Sequence, residues 1–322
     1  MMQTVLTVCF ESRRRNFKEL TNQLTLQLKW RILGSGKLKT RWKIAIGTAL
    51  ILLIAVTAVA IAFLLSGLNF NEFPVVGNRI AIIPIKGEIT MDECPSTIFG
   101  RVQCAQFDEV DAMIKNAEND PSVKAILLDI NSGGGEVVAS REMMNSVRNC
   151  KKPVVARIGE VGASGAYYVA SAADRIVADR DSIVGSIGVI MTIRHYYGLL
   201  EKIGINVTVI KAGKSKDIGS PYREMTKDEK TLLRDMINKV YYDFISDIAE
   251  NRNLSISYVE NISDGSLYIG SDALDLGLID YLGGKEKAIE TAAELGGIEG
   301  KPGIKEEYGK RRSLLDIFIG NI

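Results

Sequence analysis

The chain has 322 residues, 46% hydrophobic and 25% charged, the make-up of a globular protein with a sizeable core and not of a low-complexity chain. Its net charge of +1 conceals an asymmetry: residues 1–43 carry ten Lys/Arg against two Asp/Glu, net +8, which leaves −7 for the remainder. With the basic excess confined to that head, nothing supports nucleic-acid binding. Four cysteines are too few for a disulfide framework.

Residues 1–43 read as a basic tail against anionic lipid headgroups. Ile44–Leu65 follows, twenty-two residues without a charge or a proline. As a helix rising ~1.5 Å per residue it would cover about 33 Å, enough for a ~30 Å hydrocarbon core. It is longer, and further from the start, than the apolar stretch of about 7–15 residues in a signal peptide. The spacing therefore predicts one uncleaved N-terminal transmembrane helix over 44–65. Lys37, Lys39, Arg41 and Lys43 crowd its N-terminal side, and no Lys or Arg follows it until Arg79. The positive-inside rule then predicts a single-pass protein of the cell membrane, with a cytoplasmic N-terminus and the rest outside. Cys94 and Cys104 lie close together on that outer side and can pair if the compartment is oxidising. Cys9 and Cys150 have no obvious partner.

Residues 66–78 read as a linker. Beyond it, strand and helix patterns alternate. Arg79–Ile85 is β-branched and apolar, a strand; Phe107–Glu118 has helical apolar spacing; Val123–Ile130 is a buried strand. Val137–Val147 is a helix, Pro153–Ile158 a strand, Ala163–Ala173 a small-residue helix and Arg175–Ala178 a strand. Arg194–Ile203 predicts a helix and Asn206–Ile210 a strand. The clearest helix is Thr226–Asn251, opened by a capping box of Thr226 and Glu229. One of its faces is apolar from Leu232 to Ile248. This alternation predicts an α/β domain with mainly parallel pairing over 79–298, and a tail, basic and then apolar, over 299–322.

Three segments bear on chemistry. Asp129-Ile-Asn-Ser-Gly-Gly-Gly-Glu136 places a glycine run between a strand and a helix, where backbone N–H groups can approach a phosphate or a developing oxyanion. It lacks the lysine and spacing of a P-loop, and a plain tight turn explains it as well. Gly162-Ala-Ser-Gly-Ala-Tyr167 sets a serine among tiny residues at a second strand–helix junction, as nucleophile or as helix cap. Lys211-Ala-Gly-Lys-Ser-Lys-Asp217 offers amines; buried and neutral, a lysine serves as a base, whereas solvated it is only a basic loop.

Taken together and in this order, the segments resemble the signal peptide peptidase SppA family of serine peptidases, in its short single-domain form. The likeness runs from about Arg79 to Gly284. It rests on Asn131-Ser-Gly-Gly-Gly135, Gly162-Ala-Ser-Gly-Ala-Tyr-Tyr168, Ala172-Ala-Asp-Arg-Ile176, Ile183-Val-Gly-Ser-Ile-Gly-Val189, Lys216-Asp-Ile218, Ser220-Pro-Tyr-Arg-Glu-Met225 and Ala273-Leu-Asp-Leu-Gly-Leu-Ile-Asp280. Gly133 stands where the family usually has proline. The resemblance implies a Clp protease/crotonase-like ββα superhelix, with Ser164 as nucleophile and Lys216 as general base. The oxyanion hole would use the N–H of Gly165 and of Gly134 or Gly135. It implies no metal or cofactor, apolar peptides such as signal-peptide remnants as substrates, and a homo-oligomeric ring that meets lipid through its anchor. Three other readings remain at this stage. They are a Clp-like Ser-His-Asp peptidase using His195, the chain's one histidine, a crotonase-like acyl-CoA enzyme, and an inactive membrane scaffold.

Overall fold

The structure is a computed structural model that describes residues 48–57, 78–97 and 100–306. The chain divides into two units, residues 1–73 and 74–322. In the first, residues 48–57 are helical and exposed. The rest of the expected 44–65 span, the basic tail and most of the linker lie outside the described residues. Among the described residues, no helix is long and apolar enough to cross a membrane.

The second unit is α/β, built on a mixed sheet. Its strands are β1 (Arg79–Lys86), β2 (Glu88–Thr90), β3 (Ser96–Thr97), β4 (Gly100–Arg101), β5 (Cys104–Gln106), β6 (Val123–Ser132), β7 (Val154–Ala163), β8 (Arg175–Ala178), β9 (Ile183–Gly185), β10 (Leu267–Ile269), β11 (Tyr281–Leu282) and β12 (Gly303–Lys305). Its helices are α1 (Phe107–Asn119), α2 (Val137–Arg148), α3 (Gly165–Ser171), α4 (Tyr197–Lys202), α5 (Lys227–Arg252), α6 (Ile256–Asn261), α7 (Gly270–Asp275) and α8 (Lys285–Leu295). The main sheet runs β10-β9-β7-β6-β1-β12, with β8 beside β7 and β11 beside β8. Every pairing in it is parallel except β10 with β9.

The central strands are apolar without interruption because both faces are covered. Ile83, Ile85, Ile126, Leu128 and Ile158 face α1, α2, α3 and α5. Ile80, Ile82, Leu127 and Val155 face α8 through Ala288 and Ala292. Each such fully buried side chain contributes about 1.5–3 kcal/mol. The two faces alternate residue by residue, so a one-residue slip would exchange them.

One expectation needs correction. Asn206–Ile210 forms no strand; it runs exposed and irregular after α4. The apolar face of α5 is buried only in its C-terminal half, at Phe244, Ile245, Ile248 and Ala249, while Leu232 and Met236 stand exposed.

Candidate active site

Strand pairing brings two of the three sequence segments together. β6 and β7 are adjacent and parallel, with Ser132 opposite Gly162. The glycine run leaves the end of one strand as Ser164 leaves the end of the other. In a parallel sheet this carboxyl edge is where ligands are held.

Ser164 has φ 53° and ψ −124°, a left-handed backbone that costs a residue with a Cβ roughly 1–3 kcal/mol. Its N–H donates to the Gly185 carbonyl (2.8 Å), and its own carbonyl accepts from the Tyr168 N–H (2.9 Å). Ser164 stands at the N-cap position of α3, but its side chain makes no capping bond, so its hydroxyl is not committed to the helix. It lines a cavity of ≈ 100 Å³ together with Gly135 and Gly165.

The glycines differ in what they permit. A Cβ on Gly134, where φ is +98°, would lie 2.6 Å from the Gly165 nitrogen and 2.9 Å from the Ser164 Cβ. A Cβ on Gly165 would fall 2.2 Å from the Ser140 Oγ and 3.3 Å from the Gly135 nitrogen. A Cβ on Gly133 would meet open space. The Gly134 N–H donates to the Ser132 hydroxyl (3.1 Å), which occupies it, and Gly134 does not line the cavity. Just upstream, burial opposes ionisation of Asp129. The Arg157 guanidinium (2.6 Å) and the Lys86 ammonium more than offset that, and its carboxyl sits below its usual range.

The walls come from Val137, Val189, Ile190, Val240 and Phe244, with Ser140, Arg141 and Tyr168 as polar members. Burial, and then its bond to the Asp247 carboxylate, pushes the Tyr168 hydroxyl far above its ordinary range, so it stays a neutral donor. Its ring packs on Phe244 with centroids 4.5 Å apart. Sequence reasoning missed Ser140 and Arg141, because helical periodicity gave them no distinction from their neighbours in α2. Among the described residues, no group of three His, Cys, Asp or Glu side chains could hold a metal ion.

Neither expected base lines this cavity. Lys216 is exposed, in a loop where its N–H donates to the Gly213 carbonyl (3.2 Å). The loop is pinned by the next residue: Asp217 accepts from Arg223 Nε (2.9 Å) and Nη2 (2.8 Å) and from the Lys211 ammonium. Arg223 also donates to Glu229 (2.9 Å), whose carboxylate closes the capping box on the Thr226 N–H (2.9 Å). The Arg223 guanidinium, ahead of Lys211, holds the Asp217 carboxyl well below its usual range; the same guanidinium, ahead of the Thr226 N–H, does so for Glu229. His195 is exposed, with its ring edge-on to Tyr197 at 5.9 Å.

Away from the cavity, Cys94 and Cys104 form a disulfide. Other segments of the resemblance are structural. The Asp174 carboxylate accepts from the Val154 N–H (2.7 Å), Asp280 accepts from the Ile176 N–H (2.7 Å), and the buried Tyr167 hydroxyl donates to the Leu278 carbonyl (2.9 Å).

Comparison with known proteins decides the family. Residues 146–299 match the family model described as Peptidase family S49. A Methanocaldococcus jannaschii chain named "Putative protease MJ0651" is 46% identical over 247 residues, covering 76% of this chain and 78% of that one. This chain belongs to peptidase family S49, the SppA family. The S49 assignment makes it a serine protease. More distant relatives include "Serine protease SPPA, chloroplastic" of Arabidopsis thaliana, 32% identical over 76% of this chain, and "Protease 4" of Haemophilus influenzae, 30% identical over 68%. The S49 chain spans only 36% and 35% of those two proteins' lengths. A solved structure of a mutant 1510-N membrane-bound stomatin-specific protease with a substrate peptide aligns at TM-score 0.48 and 16% identity. The alignment covers 77% of this chain and all of that one.

Proposed function

We propose that this S49 protease is a membrane-anchored endopeptidase that cuts apolar peptides, signal-peptide remnants among them. Its nucleophile is Ser164, and its general base is Lys216 of the partner subunit. The observation that carries the reading is the strained Ser164, held between the glycine loop and Gly165 at the mouth of a mostly apolar cavity.

In this reading, neutral Lys216 takes the Ser164 proton as the oxygen attacks the substrate carbonyl. The N–H groups of Gly165 and Gly135 receive the oxyanion, each worth about 10²–10³ in rate. Gly135 is favoured over Gly134, whose N–H is already committed to Ser132. The lysine then protonates the leaving amine. Water attacks the acyl-enzyme, releasing the new carboxyl end and restoring the serine.

Lys216 is exposed and does not line the Ser164 cavity, so in this reading it reaches that cavity from another copy. Exposed apolar side chains supply a surface for one: Ile190 and Ile210 are 91% and 96% exposed, and Leu232 and Met236 stand out from α5. The ring, the Clp/crotonase-like superhelix and a peptidase domain over 79–298 belong to this same reading. The uncharged 44–65 segment supports the anchor, and the disulfide supports an oxidising side of the membrane for the domain.

A serine-reactive phosphonate tests it. Wild type should be labelled at Ser164, Ser164→Ala not at all and Lys216→Ala only slowly, while His195→Ala should label like wild type. A His195→Ala chain that resists label, beside a Lys216→Ala chain that takes it normally, would move the base to the histidine.

A further inference from the structure

The glycine loop rests on β2. The Ile89 N–H donates to the Gly134 carbonyl (3.0 Å), and the Ile89 carbonyl accepts from the Glu136 N–H (2.9 Å), so Gly135 is bridged on both flanks. The approach is close: a Cβ on Gly135 would lie 2.1 Å from the Ile89 oxygen. Along its other edge β2 pairs with β5, Glu88 opposite Cys104 and Ile89 opposite Ala105. That sheet has two strands of three residues, and a two-stranded pair of this size is marginal by itself. The chain leaving β2 reaches Cys94, and the disulfide to Cys104 ties it back to the start of β5. The Met91 N–H, donating to the Glu136 carboxylate (2.8 Å), guides the same exit.

We propose that the Cys94–Cys104 disulfide is a positioning element for catalysis, holding β2, and through Ile89 the Gly135 N–H, at the oxyanion site. Turnover is then sensitive to reduction. The proposal rests on the catalytic reading above. In the reductive step an external dithiol gives two electrons and two protons. The bond between the two sulfurs breaks, each cysteine becomes a thiol, and the dithiol leaves as its own cyclic disulfide. Cys94 is buried and Cys104 half-buried, so the bond is slow to open. Val137, Ser140 and Arg141 of α2 and Tyr168 of α3 line the cavity too, but its apolar walls stand mostly on α5 and the segment after β9, away from β2, so the loss falls mainly on the chemical step and less on substrate capture.

The experiment uses the full chain in lipid vesicles, before and after dithiothreitol, with thiols counted by mass spectrometry and peptide hydrolysis followed. Misplacing a catalytic donor by about 1 Å costs up to ~10²-fold, so kcat should fall about tenfold or more while KM stays within a factor of about two. Oxidised glutathione should restore the wild type. The Cys94→Ser/Cys104→Ser double variant should show the lowered kcat and ignore both reagents; if it does not fold, the reduced wild type carries the comparison. Wild type with both thiols counted free and kcat unchanged overturns the proposal alone, as does a loss of melting temperature with no loss of kcat. Hydrogen exchange on the same samples separates it from its premise. Faster exchange at residues 87–90 and 133–136 on reduction, with neither hydrolysis nor phosphonate labelling in either state, rejects the catalytic reading and the proposal together.

Discussion

At the scale of single residues, the backbone makes sharper demands than the side chains. Gly134→Ala places a Cβ 2.6 Å from the Gly165 nitrogen at a φ of +98°, and we expect kcat to fall by ~10² or more. Gly133→Ala meets open space and should leave kcat within about twofold and stability within about 0.5 kcal/mol. Steady-state kinetics on the pair check this; equal damage in both would mean the loop tolerates no side chain at all. Ser164→Gly removes the proposed nucleophile but also relieves the left-handed strain at φ 53°. It should be inactive yet about 1 kcal/mol more stable in chemical denaturation, and a lower midpoint would show that the strain is absent. The place of Ser164 at a strand–helix junction was legible in Gly162-Ala-Ser-Gly-Ala-Tyr167, whereas its role as nucleophile came only from the resemblance. Which loop glycine has an uncommitted N–H was not legible. That depends on Ser132 turning its hydroxyl onto Gly134, a rotamer that no spacing encodes.

At the scale of elements, legibility followed burial. β1, α1, β6, α2 and β8 begin and end within two residues of their expected limits, since continuous apolar strands and period-3.6 helices permit few other readings. Asn206–Ile210 alternates like a strand but pairs with no edge among the described residues. An unpartnered strand forms no ladder, so pattern alone misled. The loop carrying Lys216 is held by charge, not by packing, which makes it pH-sensitive. Asp217 and Glu229 have folded-state affinities for protons below their usual ones because Arg223 favours their charged forms. Their contribution is therefore complete above the unfolded values near ~4 and is lost as pH falls through the lower folded ones. Limited proteolysis across 211–224 should be slow at neutral pH and rise below about pH 4. Arg223→Gln should show the acid pattern already at neutral pH. A loop equally protected in that variant would mean other contacts hold it.

At the scale of the whole molecule, the question is whether one chain contains a complete site. Lys216 does not line the Ser164 cavity, so Ser164→Ala and Lys216→Ala subunits, each inactive, should complement when co-assembled. A random equal mixture gives about a quarter of wild-type activity if each site takes one residue from each of two neighbours. No recovery in verified mixed assemblies would place the pair within one chain. Leu232→Asp with Met236→Asp should lower the oligomeric state in analytical ultracentrifugation while leaving the buried half of α5, and hence the unfolding midpoint of the separated chain, largely unchanged. The overall α/β plan was readable from strand–helix alternation; the exposed apolar half of α5 was not, because an apolar helix stripe looks the same in sequence whether it is buried or left open. Ile190 and Ile210, left almost wholly in water by a lone chain, carry one more consequence. With the base supplied by another copy and the anchor in lipid, as proposed, scarce molecules scattered over the surface would be idle, and cutting would begin only above a threshold of crowding, so that the amount of enzyme made would set not merely how fast it works but whether it works.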